Sequence, residues 1–214
     1  MKRNIVVIAG LLILSSQAMA QSGMTRAGFY AGLDFGFADV KNYTSETSSA
    51  LVRAVGGSAS VSQDATVQLG RLFGGYKFNE NIGLELGYVQ TGNAGMKVSG
   101  VAGNSVAYTG TGSASISGAD YSLILRPNIS SGMNGLFLRL GGHSLTGKAN
   151  ATLTGTSTAS ASSSISGDGT LAGIGFDMPI NNSVGFRVGY TAYYKLAGSS
   201  DSSNVVTVGI VSRF

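Results

Sequence analysis

Eight segments of the chain alternate between large apolar side chains and glycine, charged or small polar ones. A period of two places successive side chains on opposite faces of a β-strand, so each segment predicts a strand with one apolar face. Each is about ten residues long, which is enough for a tilted strand to cross a bilayer. The predicted strands lie within residues 27–38, 66–78, 82–89, 119–126, 136–143, 170–178, 184–192 and 204–214.

The second face of these strands distinguishes a membrane barrel from a soluble β-sandwich, which has the same alternation. It is rich in glycine, which weakens a strand in water but fits the narrow interior of an eight-stranded barrel. The apolar face of all eight strands carries no charged residue, whereas Arg or Lys there would cost about 2–4 kcal/mol at the bilayer midplane. The sequence therefore predicts an all-β protein, an eight-stranded antiparallel up-and-down transmembrane β-barrel.

The composition agrees with a chain that exposes little of its surface to water. Charged residues make up 11% of the sequence, against roughly 25% in an average soluble protein. There is no cysteine, which excludes disulfides and thiolate metal sites. We predict neither a metal site nor a cofactor.

The connections between the predicted strands alternate in length. Long loops are expected at about 39–65, 91–117, 144–168 and 194–203, and the remaining connections are short. Outer-membrane barrels have this asymmetry, with short turns in the periplasm and longer loops outside the cell. The barrel domain is predicted to span residues 27–214, after a short N-terminal segment at 21–26.

The first twenty residues have the pattern of a secretory signal peptide. Lys2 and Arg3 precede an apolar run at 5–14, and the small residues at 18–20 fit a cleavage site. The run is too short to span a bilayer as a helix, so we expect export and cleavage after residue 20. Removing these two from the 14 basic residues leaves 12 against 10 acidic ones, a net charge of +2, and no nucleic-acid partner is predicted.

Charged residues fall on the inward face of the predicted barrel. In a narrow, poorly hydrated lumen, opposite charges must pair or be desolvated at a cost of several kcal/mol each. We therefore predict a structural network that plugs the lumen, in which Glu85 pairs with Arg139 or Arg187. The alternative is a pore for ions or small solutes, gated by the same charges. The predicted network comprises Asp34, Arg71, Glu85, Asp120, Arg139, Asp177 and Arg187.

A Ser/His pair raises the question of catalysis, because His143, the only histidine, is followed by Ser144. Such a pair would suit an enzyme that modifies lipid A. A nucleophile and its base must be in contact, whereas adjacent residues of a strand point to opposite faces. We therefore predict no catalytic residues and no enzymatic activity, and keep the lipid A-modifying enzyme as the less favoured alternative.

Two of the long polar segments, 98–117 and 148–165, keep a faint alternation of apolar residues among Ser and Thr. This pattern predicts that strands four to six continue above the membrane as a protruding hairpin sheet, whose exposed edge could accept a strand from a partner. The alternative is a disordered, solvated fringe. The basic loop residues are candidates for binding lipopolysaccharide phosphates. They are Lys41, Arg53, Lys97, Lys148 and Lys195.

Residues 28–36 (GFYAGLDFG) and 74–88 (GGYKFNENIGLELGY) resemble the first three strands of the OmpA-like family of small outer-membrane β-barrels. The final Phe214 is similar to that family's signal for the barrel-assembly machinery, although Ser212 stands where a large apolar residue is usual. The resemblance implies an integral protein of the Gram-negative outer membrane, in contact with its lipids and lipopolysaccharide. No periplasmic peptidoglycan-binding domain is expected after the barrel.

The resemblance is informative about the fold and leaves the function open, because one scaffold of this kind hosts many roles. We predict a structural role with adhesion-like surface interaction through the extracellular loops. The alternatives are a small pore and, less favoured, the enzyme considered above.

Overall fold

The structure, a computed structural model, describes residues 27–128 and 135–214. The predicted signal peptide (1–20) and the segment at 21–26 lie outside the described residues. No helix in the described part is both long enough and apolar enough to cross a membrane. The helical elements are α1 (Thr44–Val55) and a short 3-10 helix (Leu196–Gly198). The strands are β1 (Gly28–Asp39), β2 (Ser58–Gln63), β3 (Thr66–Lys77), β4 (Ile82–Thr91), β5 (Ala94–Val101), β6 (Ala107–Leu125), β7 (Leu136–Thr154), β8 (Thr158–Pro179), β9 (Val184–Tyr194) and β10 (Ser202–Arg213).

Eight of these strands form a closed antiparallel barrel. Their order around it is β6-β4-β3-β1-β10-β9-β8-β7, and pairing of β6 with β7 closes the ring. This confirms the predicted eight-stranded architecture. The last strand pairs with the first from Tyr30–Arg213 to Ala38–Val205, so the closing role predicted for residues 204–214 is confirmed as well.

The two faces of the barrel are those that the alternation predicted. Phe29, Phe35 and Leu86 lie on the outward face and each expose more than 60% of their surface. Asp34 and Glu85, on the inward face, are buried. A continuous apolar surface of this kind is a liability in water, but lipid tails solvate it in a bilayer.

The short turns at one end of the barrel depend on asparagine. Asn79 Oδ1 accepts hydrogen bonds of 2.9 Å from the backbone N–H groups of Asn81 and Ile82. Asn181 makes the equivalent pair in the turn before β9, at 2.9 and 2.8 Å. An asparagine side chain that bonds its own backbone two residues on reverses the chain within a few residues, and this explains why these connections are short.

The segment expected as the first long loop, 39–65, is not irregular. It contains α1 and the additional strand β2. The helix has Glu46 in its first turn and Arg53 in its last, which complements the helix dipole, yet none of its residues is buried. Without a buried apolar stripe the helix lacks the periodic pattern by which a sequence reveals it.

The segments expected as loops at 91–117 and 144–168 are mostly strand. The first contains β5 and the beginning of β6, and the second contains the end of β7 and the beginning of β8. The fourth, 194–203, holds the 3-10 helix. β6 and β7 are 19 residues long and β8 is 22, about twice the span of a bilayer. The predicted protruding hairpin sheet is thus confirmed, and the disordered alternative is wrong for these segments.

The narrow barrel brings strands close together at its inward glycines. A Cβ atom built on Gly36 would lie 1.9 Å from the carbonyl oxygen of Val206, and one on Gly209 would lie 2.2 Å from Asp34 Oδ1. Real Cβ atoms do not approach so closely, so backbone would have to move. On the outward face the situation differs, because a Cβ on Gly70 meets nothing nearer than the Phe35 ring at 3.9 Å.

These distances predict opposite outcomes for the same substitution on the two faces. Gly36→Ala should destabilise the barrel by about 1–3 kcal/mol through overpacking, whereas Gly70→Ala should stay within about 0.5 kcal/mol. Urea unfolding of the protein in lipid vesicles measures both. Equal unfolding midpoints for the two variants would contradict the inward packing described here.

Candidate functional site

The lumen holds a continuous network of four carboxylates and five guanidinium groups. Arg71 lies at its centre, 2.8 Å from both Glu85 and Asp120 and 3.2 Å from Asp34. Arg139 approaches Asp120 to 2.6 Å and Glu85 to 3.9 Å. The other half is joined through Arg187, which lies 2.8 Å from Glu85 and 2.7 Å from Asp177. Asp177 also joins Arg126, at 3.0 Å, and Arg213, at 3.9 Å, to the network.

Two of these contacts have the geometry that makes an ion pair strong. Arg71 donates Nε and Nη2 to the two oxygens of Asp120, both at 2.8 Å. Arg187 donates in the same way to Asp177, at 2.7 and 3.1 Å. Two parallel charge-assisted hydrogen bonds fix orientation as well as distance, so these arginines are held rigidly across the lumen.

Aromatic rings flank the charges on the side of the short turns. Tyr30, Phe73 and Val211 form a buried cluster. The guanidinium carbon of Arg187 lies 4.6 Å from the ring centres of both Phe73 and Phe137. Cation–π contacts of this kind stabilise a desolvated arginine. The rings and the charges together fill the cross-section of the barrel.

The structure brings together all seven residues that the sequence predicted as a network. The pair between Glu85 and Arg187 is present, and Arg139 is a more distant neighbour of Glu85. The role of Arg71 as the central bridge was not predicted. Arg126 and Arg213, which are outside the predicted set, join the network through Asp177. That the network serves as a structural plug stays a prediction.

Sequence reasoning missed the large apolar residues inside the barrel. Above the charges, toward the long strands, lies a second buried cluster. Five of its members lie on the inward phase of the predicted strands, whereas Leu145 and Tyr193 lie just beyond the strands predicted at 136–143 and 184–192. Alternation carries the signal, because the large apolar residues on the inward phase, such as Leu69, Val89 and Leu171, are buried in the lumen. The cluster comprises Ala38, Leu69, Val89, Leu145, Leu171, Tyr193 and Val205.

His143 and Ser144 lie on opposite faces of β7, as expected. His143 is buried in the lumen, where its Nε2 lies 3.0 Å from the carbonyl oxygen of Tyr194. Ser144 is exposed. The two side chains therefore do not form a nucleophile and base pair.

Outside the membrane, β2, β5, β6, β7 and β8 form one five-stranded sheet. The helix α1 covers its first strand, where Ser48 Oγ donates a 2.8 Å hydrogen bond to the carbonyl oxygen of Ala59. At the other side β8 pairs with β7 along its whole length but with β9 only from Thr170 onward. Among the described residues, none pairs with the outer edge of β8 at 158–164.

A clasp of three side chains joins the segment after β1 to the segment before β10. Lys41 Nζ lies 2.5 Å from Asp201, and the Tyr43 hydroxyl donates to the same carboxylate. These two donors hold the pKa of Asp201 below its ordinary value. Partial burial and the hydrogen bond to Asp201 raise the pKa of Tyr43 to about 12. The clasp is therefore charged at Lys41 and Asp201 and neutral at Tyr43 at neutral pH.

A closed eight-stranded barrel with an apolar outer surface and a charged, filled lumen defines a class, the integral β-barrel proteins of the bacterial outer membrane. The family model for the outer membrane protein beta-barrel domain matches residues 6–214. The chain belongs to this family, and its place is the outer membrane of a Gram-negative cell. The resemblance noted from residues 28–36 and 74–88 agrees with this assignment.

Several solved structures are similar to this chain. The attachment invasion locus protein Ail of Yersinia pestis, solved with the heparin analogue sucrose octasulfate, has 17% identity and a TM-score of 0.49, over 87% of this chain and 99% of that one. Neisserial surface protein A has 17% identity and a TM-score of 0.43, over 88% and 99%. OprG of Pseudomonas aeruginosa has 13% identity and a TM-score of 0.38, over 90% and 96%. No curated protein matches the sequence.

The ion network predicts a large effect of removing one central charge. Glu85→Gln keeps the side-chain volume but leaves Arg71 and Arg187 short of a counter-charge in a buried site, which should cost about 3–5 kcal/mol. Glu80→Gln, an exposed change in the turn before β4, should cost no more than about 0.5 kcal/mol. The measurement is urea unfolding in lipid vesicles. A loss below 1 kcal/mol for Glu85→Gln would show that the network is not a stabilising unit.

Proposed function

We propose that the protein is a sealed, non-enzymatic barrel that presents its extracellular sheet to partners at the cell surface. The observation that carries the proposal is the unpaired outer edge of β8 at 158–164, held above the membrane by strands twice as long as the bilayer requires. The filled lumen supports the same view. Because it offers no passage through the barrel, the role that remains for the barrel is to hold the extracellular sheet.

The seal follows from how the lumen is filled. Glu85, Asp120 and Arg71 are almost fully buried, each exposing 3% of its surface or less. Moving an ion past them requires breaking bidentate pairs whose partners would then be left desolvated. Tyr193 adds to the closure, since its hydroxyl donates to Asp120 at 3.2 Å from the extracellular side. A small pore, the alternative function, would need these contacts to open.

The edge of β8 has the chemistry of a docking strand. Proteins usually protect an open edge with lysine, proline, a bulge or a covering element. Residues 158–164 read TASASSS, which includes neither lysine nor proline, and all seven side chains are exposed. An extended segment of another protein can add to such an edge through backbone hydrogen bonds, with the small side chains leaving its approach unhindered.

Contacts with lipopolysaccharide fit the same surface. Four of the five predicted basic loop residues have no ion-pair partner among the described residues, and the fifth, Lys41, is engaged by Asp201. We propose that the four bind lipopolysaccharide phosphates, which lysine and arginine bind through charge-assisted hydrogen bonds. The four are Arg53, Lys97, Lys148 and Lys195.

Export by the predicted signal peptide and insertion by the barrel-assembly machinery belong to the same proposal. Phe214 lies on the outward phase of β10, and its backbone N–H donates a 3.0 Å hydrogen bond to Phe29. Its use as an assembly signal stays a prediction from the family resemblance.

The filled lumen predicts the single-channel behaviour of the protein. In planar lipid bilayers the refolded wild-type protein should give no sustained single-channel current. Glu85→Ala removes the charge that three arginines share, so repulsion among them should open the lumen and produce discrete current steps. Sustained channels in the wild type would favour the pore over the plug. Silence in both proteins, with unchanged stability of the variant, would contradict the plug role of Glu85.

The docking edge predicts the effect of shortening one hairpin. Replacing residues 150–162 by the turn Asn-Gly removes most of the free edge and keeps the ladder below it, since Ala149 still faces Ser163. Bacteria that display this variant should adhere to immobilised matrix and serum proteins several-fold less than bacteria that display the wild type. The control is a variant in which four residues are all replaced by Gln: Arg53, Lys97, Lys148 and Lys195. It distinguishes adhesion through these charges from adhesion through strand addition. Equal adhesion of wild type and shortened variant would refute the role of the edge.

A further inference from the structure

The extracellular half of the barrel contains a cavity above the plug that shares only Ser163 with the free edge of β8. It has a volume of about 420 Å³ and lies between the upper apolar cluster and the ring of long strands. Its floor is built by Leu69, Val89, Leu145 and Tyr193, all of them buried. Pockets that bind small molecules have volumes of about 300–1,000 Å³ and mostly apolar linings. An apolar cavity of about 150 Å³ is already large enough for benzene.

The walls of the cavity are apolar although the strands that form them are polar. Ile116 of β6 and Ile165 of β8 line it, together with the small residues Ala114 and Ala149. Ile165 is the only large apolar residue in the Ser-rich stretch at 158–168, and 62% of its surface is exposed. A ligand that enters the cavity covers this apolar surface. Removing apolar surface from water is favourable, and this provides the driving force for binding.

The buried polar groups around the cavity have partners within the protein, and Lys148, which lines it without an ion-pair partner among the described residues, is exposed. Ser203 Oγ donates to the carbonyl oxygen of Asp39 at 2.8 Å, and Thr91 Oγ1 accepts from the N–H of Ile116 at 2.9 Å. The hydroxyls of Tyr43 and Tyr193 donate to Asp201 and Asp120. The buried side-chain atoms that lack a hydrogen bond belong to residues outside the lining of the cavity.

We propose that this cavity is a binding site for a small, uncharged, largely apolar molecule of the aromatic or aliphatic class. A charged ligand would be desolvated there without a buried counter-charge, and a strongly polar one would find donors and acceptors that are already used. The ligand enters from the extracellular mouth, beside the clasp of Lys41, Tyr43 and Asp201. It stops at Tyr193, because the ion network lies directly beneath.

Two glycines with similar surroundings allow a matched test. A Cβ on Gly147, which lines the cavity, would meet only Ala197 Cβ at 3.5 Å and Ile165 O at 3.9 Å. A Cβ on Gly112, on the neighbouring strand but not in the lining, would meet Asn150 O at 3.5 Å and Met96 Cβ at 3.6 Å. Both sites accept a side chain without backbone movement, so Gly147→Phe fills the cavity and Gly112→Phe serves as its control.

The experiment measures binding of the neutral fluorophore N-phenyl-1-naphthylamine by equilibrium dialysis against the full-length barrel in lipid nanodiscs, with empty nanodiscs as the background. We expect one saturable site per wild-type barrel above that background, at least tenfold weaker binding to Gly147→Phe, and wild-type binding to Gly112→Phe. Ile165→Ser, a change at an exposed position, should weaken binding several-fold and decides the matter if Gly147→Phe does not fold. Wild-type binding equal to that of empty nanodiscs, or undiminished binding to both cavity variants, would overturn the proposal.

Discussion

The structure depends on neutralising charge inside a cylinder too narrow for water. Eight strands enclose a space that side chains just fill, and that space holds four carboxylates paired with five guanidinium groups. Bidentate pairs hold Asp120 and Asp177, and aromatic rings flank Arg187, so these charges are compensated although they are removed from water. The partners come from different strands, so the network also specifies which strand lies opposite which.

Glycine and charge are two parts of the same arrangement. A guanidinium group that crosses the lumen needs an opposite wall without a side chain. At Gly87, for example, a Cβ would lie 2.6 Å from Arg71 Nη2 and 2.7 Å from Asp120 Oδ1. The same holds at Gly209, which leaves room for the Asp34 carboxylate. Glycine weakens an isolated strand. Here the ion pairs for which glycine leaves space offset that loss of strand stability.

Alternation along the sequence was enough to predict the barrel, the number of its strands and the face on which each charge lies. A period of two places each side chain on one of two faces, and in a bilayer a charged side chain is destabilising on the face that meets lipid. It narrowed the partners of Glu85 to Arg139 or Arg187 but did not predict the contact with Arg71, which depends on the register and depth of the strands. Nor could it reveal α1, whose exposed helix has no buried face. The upper apolar cluster was missed in part because Leu145 and Tyr193 lie beyond the strands predicted at 136–143 and 184–192, whereas the observed strands continue to Thr154 and Tyr194.

The position of the ion network divides the barrel into two unequal compartments. Toward the periplasm the lumen is filled by Tyr30, Phe73 and Phe137 around Arg187. Toward the outside the strands continue and the lumen opens into an apolar cavity whose floor rests on the network through Tyr193. A barrel evolved only as an anchor would gain nothing from an open, apolar space above its seal, since exposed apolar surface in water is unfavourable. The closed lower half and the open upper half therefore argue that the molecule acts on its extracellular side, with the charges providing the rigid base on which that side is built.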